Sequence, residues 1–79
     1  MRIDLFLKEA RIIKRRTIAK EYCERGLVLI NSKEAKPSSE VMDGDIVNIT
    51  FGEKDFDVRA VIEIVGKKER ASYARIESW

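Results

Sequence analysis

The spacing of the apolar residues changes once along the chain, at Gly26. Before Gly26 the apolar residues recur every three or four positions, which is typical of amphipathic helices. After it, short apolar and β-branched runs alternate with turn residues, which is typical of strands. A chain of 79 residues makes one domain with a thin core, so both parts must share that core. We therefore predict an α+β fold, with two N-terminal helices packed on a small, mostly antiparallel sheet.

The predicted helices are short and are joined by a basic segment. The first covers about residues 4–13, and its apolar residues fall near one face. The second begins at Thr17, a residue type that caps helix N-termini, and extends to about Arg25. Gly26 ends it, because glycine adopts the left-handed conformation at a helix C-terminus at little cost.

The remainder of the chain predicts strands separated by turns. Asn31 to Lys33 is predicted to be a turn, and residues 66–70 are predicted to be a charged loop. On the last strand, Tyr73 and Trp79 are expected to share one face, because side chains alternate along a strand. The predicted strands cover residues 27–30, 34–36, 46–51, 56–65 and 73–79.

The charged residues are distributed unevenly, although their sum is small. The whole chain has 16 Lys and Arg against 14 Asp and Glu, a net charge of +2. Residues 1–36 hold 10 basic and 5 acidic residues, a net of +5, and residues 37–79 hold 6 and 9, a net of −3. A basic half and an acidic half predict one face that binds a polyanion such as nucleic acid.

Lys14, Arg15 and Arg16 form a basic cluster between the predicted helices. Such a cluster can place arginine side chains and the N-terminal amides of the second helix on phosphates. The alternative interpretation is a charged turn that only contacts solvent. Further cations would lie near the cluster on the polar faces of the two helices, namely Lys8, Arg11 and Lys20.

The residues that most enzymes and many metal sites need are absent. The chain has no histidine, the usual general base near neutral pH. Its one cysteine, Cys23, allows neither an intrachain disulfide nor a cysteine-rich zinc site. Cys23 lies on the predicted apolar face of the second helix, so we interpret it as a small buried hydrophobe. We predict no enzymatic activity, no metal site and no cofactor.

Two further groups of residues have both a functional and a structural interpretation. The spacing of four aspartates does not match a calcium loop, so we interpret them as turn residues: Asp43, Asp45, Asp55 and Asp57. Three aromatic residues could stack on bases: Tyr22, Tyr73 and Trp79. Of these, Tyr22 is favoured as a core residue, and the role of Trp79 stays open.

No segment of the sequence is long and apolar enough to span a membrane. The longest apolar run is Leu27 to Ile30, far below the roughly 20 residues of a spanning helix. Asp4 lies where a signal peptide needs apolar residues. We therefore expect a monomeric, cytoplasmic protein.

Five short segments of the chain match a known family in order and spacing. They read RIDLFL at 2–7, KRRTIA at 14–19, GLVLIN at 26–31, AKPS at 35–38 and VMDGDI at 41–46. Together they resemble the S4-type RNA-binding domain, whose fold is also called the alpha-L RNA-binding motif. The resemblance covers about residues 2–51. It implies a single RNA-binding domain over residues 1–79, with extra strands over residues 52–79.

The length and the Lys-Arg-Arg-Thr stretch resemble the stand-alone members that act in bacterial ribosome-associated quality control, the RqcP type. A related small S4 heat-shock protein is also similar, but its long basic tail has no counterpart in this sequence. The resemblance implies a non-catalytic adaptor that binds obstructed large ribosomal subunits through rRNA and peptidyl-tRNA. It also implies support of C-terminal alanine tailing, with the RqcH tailing factor as a further partner.

The RNA-binding residues are predicted from the resemblance and from the charge pattern. The positions that match the family's RNA-facing residues are Arg2, Asp4, Lys14, Arg15, Arg16, Thr17, Lys36 and Ser38. The charge pattern adds Lys8, Arg11 and Lys20. Leu5 replaces a lysine common in the family, which removes one expected phosphate contact. Ser32 replaces a glycine after Asn31, which leaves the type of that turn open.

Two other functions stay open from the residues alone. A DNA-binding helix-turn-helix module shares the two helices and the basic turn, but it needs base-reading side chains on its recognition helix. The predicted outer face of the second helix instead carries Lys20, Glu21 and Glu24, and the glutamates would repel phosphates. A small protein-interaction domain would use the acidic sheet to bind its partner.

Overall fold

The computed structural model describes residues 1–76 and confirms the predicted α+β fold. Two helices precede a five-stranded antiparallel sheet in which the strands lie in the order β2-β1-β3-β4-β5. The elements are α1 Ile3–Glu9, α2 Arg16–Glu24, β1 Val28–Ile30, β2 Lys33–Glu34, β3 Ile46–Phe51, β4 Lys54–Val65 and β5 Lys68–Arg75. Within the described residues, neither helix has the length and hydropathy to cross a bilayer.

The core lies between the helices and one face of the sheet. Alternate residues of β3 and β4 point into it, and Val47, Ile49 and Ala60 are fully buried there. Helix α1 contributes its own fully buried residues, Ile3, Phe6 and Leu7. The opposite face of the sheet carries polar side chains such as Asn48, Asp57 and Arg59. This outer face is therefore directed away from both helices.

Helix α1 ends at Glu9, so the predicted continuation to about residue 13 is wrong. Arg11 has a positive φ of 62°. Its N–H donates to the Lys8 carbonyl at 3.1 Å, and the N–H of Ile12 donates to the Leu7 carbonyl at 3.0 Å. This pair of bonds is a Schellman motif, which stops a helix by satisfying its last carbonyls. Apolar spacing continued past this point only because later loop residues also reach the core.

Helix α2 begins at Arg16, so the prediction of Thr17 as its N-cap is wrong. Arg15 occupies the cap position with an extended backbone, and no side chain caps this end of the helix. The predicted stop at Gly26 is confirmed, because Gly26 has a φ of +73°. Its N–H and that of Leu27 form the same Schellman pair, here with the Cys23 and Tyr22 carbonyls.

The β1–β2 hairpin has a tighter turn than the sequence predicts. Ile30 pairs with Lys33, which leaves Asn31 and Ser32 as a two-residue loop. Both have positive φ, 50° and 71°, as a type I′ turn requires. The predicted return strand at 34–36 is therefore displaced, since β2 consists of Lys33 and Glu34. The structure thus identifies the turn type that the missing glycine left open.

The β4–β5 hairpin differs most from the prediction. Strand β4 begins two residues earlier than predicted, at Lys54, and β5 covers Lys68–Arg75 in place of the predicted loop at 66–70 and strand at 73–79. Val65 pairs with Lys68 across a two-residue loop. Most of β5 is exposed, so it lacks the apolar alternation that identifies strands in a sequence. Trp79, predicted on the same face of this strand as Tyr73, lies outside the described residues.

Candidate nucleic-acid interface

A buried carboxylate organises the N-terminal end of α1. Asp4 is 2% exposed and accepts the Leu5 N–H at 2.7 Å. Arg2 donates to its two oxygens through Nε at 3.2 Å and Nη2 at 3.0 Å. Arg16, at the first position of α2, forms a second ion pair with Oδ1 at 3.5 Å. Asp4 therefore holds arginines from two separate segments in one place.

Both arginines still present a guanidinium to solvent. Their side chains are 48% exposed at Arg2 and 46% exposed at Arg16. Together with Asp4, Thr17 and Lys20, they line a shallow depression of about 220 Å³, which we call the arginine surface. Its components come from both helices and from the residue that precedes α1. The surface therefore exists only when the two helices are packed together.

The first turn of α2 adds backbone donors close to this surface. Within residues 1–76, the N–H groups of Arg16, Thr17 and Ile18 have no backbone or side-chain acceptor. The first intrahelical bond at this end is donated by Ala19 to the Arg15 carbonyl at 3.0 Å. Free N–H groups at a helix N-terminus attract anions such as phosphate. The arginine surface and this helix end can therefore bind the same polyanion.

A second basic depression lies at the other end of α1. It is lined by Lys8, Glu9, Arg11, Ile12 and Lys14, and its volume is about 500 Å³. We call it the lysine surface. Three predicted RNA-binding cations meet here, but they meet because α1 ends and the chain turns, whereas the sequence placed Lys8 and Arg11 on one continuous helix. Lys8 also pairs with Glu9 at 3.4 Å.

The loop that carries Lys36 and Ser38 is attached to the beginning of α1. The N–H of Ile3 donates to the Ser39 carbonyl at 2.8 Å, and the N–H of Asp4 donates to the Pro37 carbonyl at 3.3 Å. Lys36 and Ser38 are both exposed. These two predicted residues therefore lie at the same end of α1 as Arg2 and Asp4.

The cations near the helices are largely free of internal partners. Within the part of the chain that the structure describes, no hydrogen bond or ion pair is formed by the side chains of Arg11, Lys14, Arg15, Lys20 or Lys36. The acidic residues of the outer sheet face behave differently. Asn48 donates to Asp55 at 2.8 Å and to Asp57 at 2.9 Å, on the side opposite the helices. Unpaired cations are thus grouped near the helices, whereas the outer face carries Asp55 and Asp57 together with Arg59.

Several residues that could have carried chemistry are structural. Cys23 is 4% exposed, and burial raises the pKa of its thiol to about 11, with a smaller contribution from the charges of Asp4 and Glu24. The thiol is therefore protonated at neutral pH, as expected of a buried hydrophobe. Tyr22 packs on Phe51 with ring centroids 5.5 Å apart, which confirms it as a core residue.

Two of the four aspartates are confirmed as turn residues. Asp45 accepts the N–H of Met42 at 2.8 Å, and the Asn31 side chain donates to it at 3.2 Å. Asp43 accepts the N–H of Ile62 at 2.9 Å. Their oxygens are therefore used to stabilise the chain reversal before β3.

The S4 domain model matches residues 1–47 of the chain. This stretch includes both helices, the arginine and lysine surfaces and the loop at Lys36 and Ser38. The chain belongs to the S4 domain family. The resemblance proposed from the sequence is thereby confirmed, and strands β4 and β5 lie outside the matched stretch.

Within this family the chain is similar to several proteins that share one name. It is 42% identical over 79 residues to the "RQC P-site tRNA stabilizing factor" of Halalkalibacterium halodurans, covering 98% of this chain and 90% of the relative. It is 45% identical over 73 residues to the Bacillus subtilis protein of that name, covering 91% and 85%. Among solved structures, the trimeric Heat Shock Protein 15 of Vibrio cholerae superposes with a TM-score of 0.76 at 28% identity. That match covers 96% of this chain and 81% of the other.

One group of residues near the site was not predicted as a group. Arg75 and Phe56 lie beside Arg11, and Tyr73 lies with them. The sequence suggested Tyr73 as a base-stacking residue, but nothing in it connected β5 to the end of α1. That proximity results from the pairing of β5 with β4, which no local pattern predicts.

Proposed function

We propose that this chain is an RNA-binding adaptor of bacterial ribosome-associated quality control. It binds obstructed large ribosomal subunits through rRNA and peptidyl-tRNA and supports C-terminal alanine tailing of stalled nascent chains. The observation that carries the proposal is the arginine surface, in which Asp4 aligns Arg2 and Arg16 beside the free amides of α2. The names of the similar proteins support tRNA as one ligand.

The proposed mode of binding is recognition of phosphates and shape. Folded RNA presents few readable base edges, and proteins therefore contact its backbone and helical geometry. An arginine side chain suits this task because its planar fork can donate two parallel hydrogen bonds to one phosphate. The arginine surface would contact one backbone segment, and the lysine surface would contact the next. The outer face of the sheet, which carries Asp55 and Asp57, would point away from the RNA.

The remaining predicted residues have assigned roles in this proposal. Asp4 acts through its arginines, because its own carboxylate is buried. Thr17 provides a hydroxyl donor in the arginine surface, and Ser38 provides one from the loop that is bonded to the beginning of α1. The cations that extend the interface are Lys8, Arg11, Lys14, Arg15, Lys20 and Lys36. Residues 1–79 act as one RNA-binding domain in the cytoplasm, as a monomer, with the RqcH tailing factor as a further partner and with no catalytic step of its own.

A DNA-binding helix-turn-helix is the less favoured function. Such a module inserts the exposed face of its second helix into the major groove. That face of α2 carries Glu21 and Glu24, both exposed, and their carboxylates would approach the phosphates on either side of the groove. The arginine surface lies at the beginning of α2 and does not require that face. The geometry therefore favours folded RNA.

The test compares Arg16→Ala with a matched arginine variant on the outer sheet face, Arg59→Ala. Both substitutions remove one exposed guanidinium, but Arg59 points away from the helices. We expect Arg16→Ala to weaken binding to large subunits carrying tRNA about ten- to hundredfold, since a charge-assisted contact contributes about 1.5–3 kcal/mol. Affinity is measured with labelled protein, and the melting temperature of each variant shows that it is folded.

Competition with structured RNA and duplex DNA separates the alternatives. Structured RNA should displace the protein from large subunits at lower concentration than duplex DNA does. Equal affinities for wild type, Arg16→Ala and Arg59→Ala would contradict the proposal. Stronger competition by duplex DNA would favour the helix-turn-helix function.

A further inference from the structure

A small concave site lies between the end of α1 and the inner face of β5. Arg11 and Ile12 line it from the end of α1, and the sheet lines it with Phe51, Phe56, Tyr73 and Arg75 among others. Its volume is about 190 Å³, below the roughly 300–1,000 Å³ of sites for drug-sized molecules. We call it the Tyr73 pocket. It has room for one flat ring system and not for a whole cofactor.

The chemistry of this pocket suits a flat, electron-rich group attached to an anion. The Arg75 guanidinium lies over the Phe56 ring, 4.7 Å from its centroid. The Phe51 and Phe56 rings are 5.9 Å apart, and Tyr73 remains 44% exposed beside them. Among the described residues that line the pocket there are two arginines and no carboxylate. An acidic ligand is therefore favoured over a basic or purely apolar one.

The backbone of Arg11 provides an independent observation. Both helices end in a Schellman motif, and the left-handed position is occupied by Gly26 in α2 and by Arg11 in α1. Glycine adopts this conformation without strain, whereas an arginine does not. Strained residues of this kind are concentrated at functional sites. The Arg11 side chain borders both the Tyr73 pocket and the lysine surface.

We propose that the Tyr73 pocket binds one unpaired nucleotide of the RNA that the helices contact. The base stacks against Tyr73, and Arg11 and Arg75 contact the flanking phosphates. Proteins recognise unpaired RNA bases by stacking them on aromatic rings and guanidinium planes. The pocket adjoins the lysine surface through Arg11 and Ile12, so a strand that leaves that surface can enter it directly. This inference rests on the proposed function and adds a contact from outside the S4-matched residues.

The first test uses Tyr73→Ser, which removes the ring, and Tyr73→Phe, which keeps it. Removal of one base-stacking ring should raise the Kd for large subunits carrying tRNA about tenfold, and Tyr73→Phe should recover most of that loss. Arg11→Gly should change the melting temperature and the affinity in opposite senses. It should raise the melting temperature, because the left-handed strain is relieved, while it weakens binding several-fold. A folding defect cannot produce this combination.

The second test identifies what occupies the pocket. The photoreactive residue p-benzoylphenylalanine is placed at position 73 in the full chain, which is then bound to large subunits and irradiated. A cross-link to rRNA or tRNA supports the inference. A cross-link to ribosomal protein alone would overturn it and indicate a peptide ligand.

The two proposals can fail separately. If Arg16→Ala weakens binding and Tyr73→Ser leaves the Kd within twofold of wild type, the pocket inference is wrong and the proposed function stands. If Arg16→Ala has no effect, the proposed function itself is wrong, whatever Tyr73→Ser does.

Discussion

Asp4 shows how one residue can determine the geometry of a whole surface. Its carboxylate is buried and has three partners, the N–H of Leu5 and the side chains of Arg2 and Arg16. A buried carboxylate is costly unless it is paired and hydrogen-bonded. Here the pairing leaves each arginine half exposed and fixes its direction. Asp4, which the sequence predicted as RNA-facing, is thus placed to align Arg2 and Arg16.

We predict that Asp4→Asn weakens RNA binding mainly through Arg16. Asparagine keeps the size of the side chain and an oxygen for the Leu5 N–H, but it loses the charge that attracts the guanidinium groups. The Kd for large subunits carrying tRNA should rise about three- to tenfold, and stability should fall by about 1–3 kcal/mol.

A double-mutant cycle separates alignment from direct contact. If Asp4 acts through Arg16, Asp4→Asn should have little further effect on the Kd of Arg16→Ala. Fully additive losses would show that Asp4 acts independently of that arginine.

The two helices and the β1–β2 hairpin are short, and their stability depends on the turns at their ends. Helix α1 has 7 residues and α2 has 9, below the roughly 12–15 at which isolated helices become marginally stable in water. Their stability therefore comes from packing on the sheet and from their Schellman ends. The β1–β2 hairpin is shorter still, and its turn is supported by Asn31, which accepts the N–H of Ile46 at 3.0 Å.

We predict that Ser32→Gly stabilises the protein through this hairpin. Ser32 has a φ of 71° in a type I′ turn, where glycine is the preferred second residue. Relief of the left-handed strain, less the entropy that glycine adds to the unfolded chain, should contribute about 0.5–1 kcal/mol. For a domain of this size, that corresponds to a melting temperature about 2–8 °C higher by calorimetry.

The matched control is Ser32→Ala, which removes the hydroxyl but keeps the β-carbon. It should give no increase in melting temperature. If alanine stabilises as much as glycine does, the effect comes from loss of the hydroxyl and the assignment to backbone conformation is wrong.

At the scale of the molecule, the small net charge conceals a division between two sides. The helical side presents cations without internal partners in the described residues, and the outer sheet face carries Asp55 and Asp57 beside Asn48. This arrangement orients the protein on a polyanion, because the grouped, unpaired cations near the helices are attracted to phosphates. Binding should therefore depend on few, localised phosphate contacts.

We predict that the affinity for RNA falls with salt concentration, with a slope that reports the number of phosphate contacts. Each phosphate that is neutralised contributes about 0.7–0.9 to the slope of log K against log salt concentration. Three to five contacts at the arginine and lysine surfaces would give a slope of about −2 to −4. Arg16→Ala should make the slope shallower by about one contact, and Arg59→Ala should leave it unchanged. A slope near zero in wild type would contradict phosphate-driven binding.

The sequence by itself determined the features that depend on residues close together along the chain. Apolar spacing predicted two helices followed by strands, Gly26 predicted the end of α2, and strand β3 was placed at its observed bounds. The five motif segments predicted the family, which the S4 domain model confirms, and the basic residues of the candidate interface stay a prediction. These features are local, because helix and strand periods and turn chemistry act over a few residues.

Only the tertiary structure decided the features that depend on distant partners. Helix α1 ends at Glu9. Ile13 continues the apolar spacing beyond that end because it reaches the core from a loop. Strand β5 forms because β4 pairs with it, although its residues are mostly exposed. That pairing brings Tyr73 beside Arg11, and the packing of α1 on α2 brings Arg16 to Asp4. Contacts between residues far apart in sequence leave no periodic signal, so the sites they create become visible only in the folded chain.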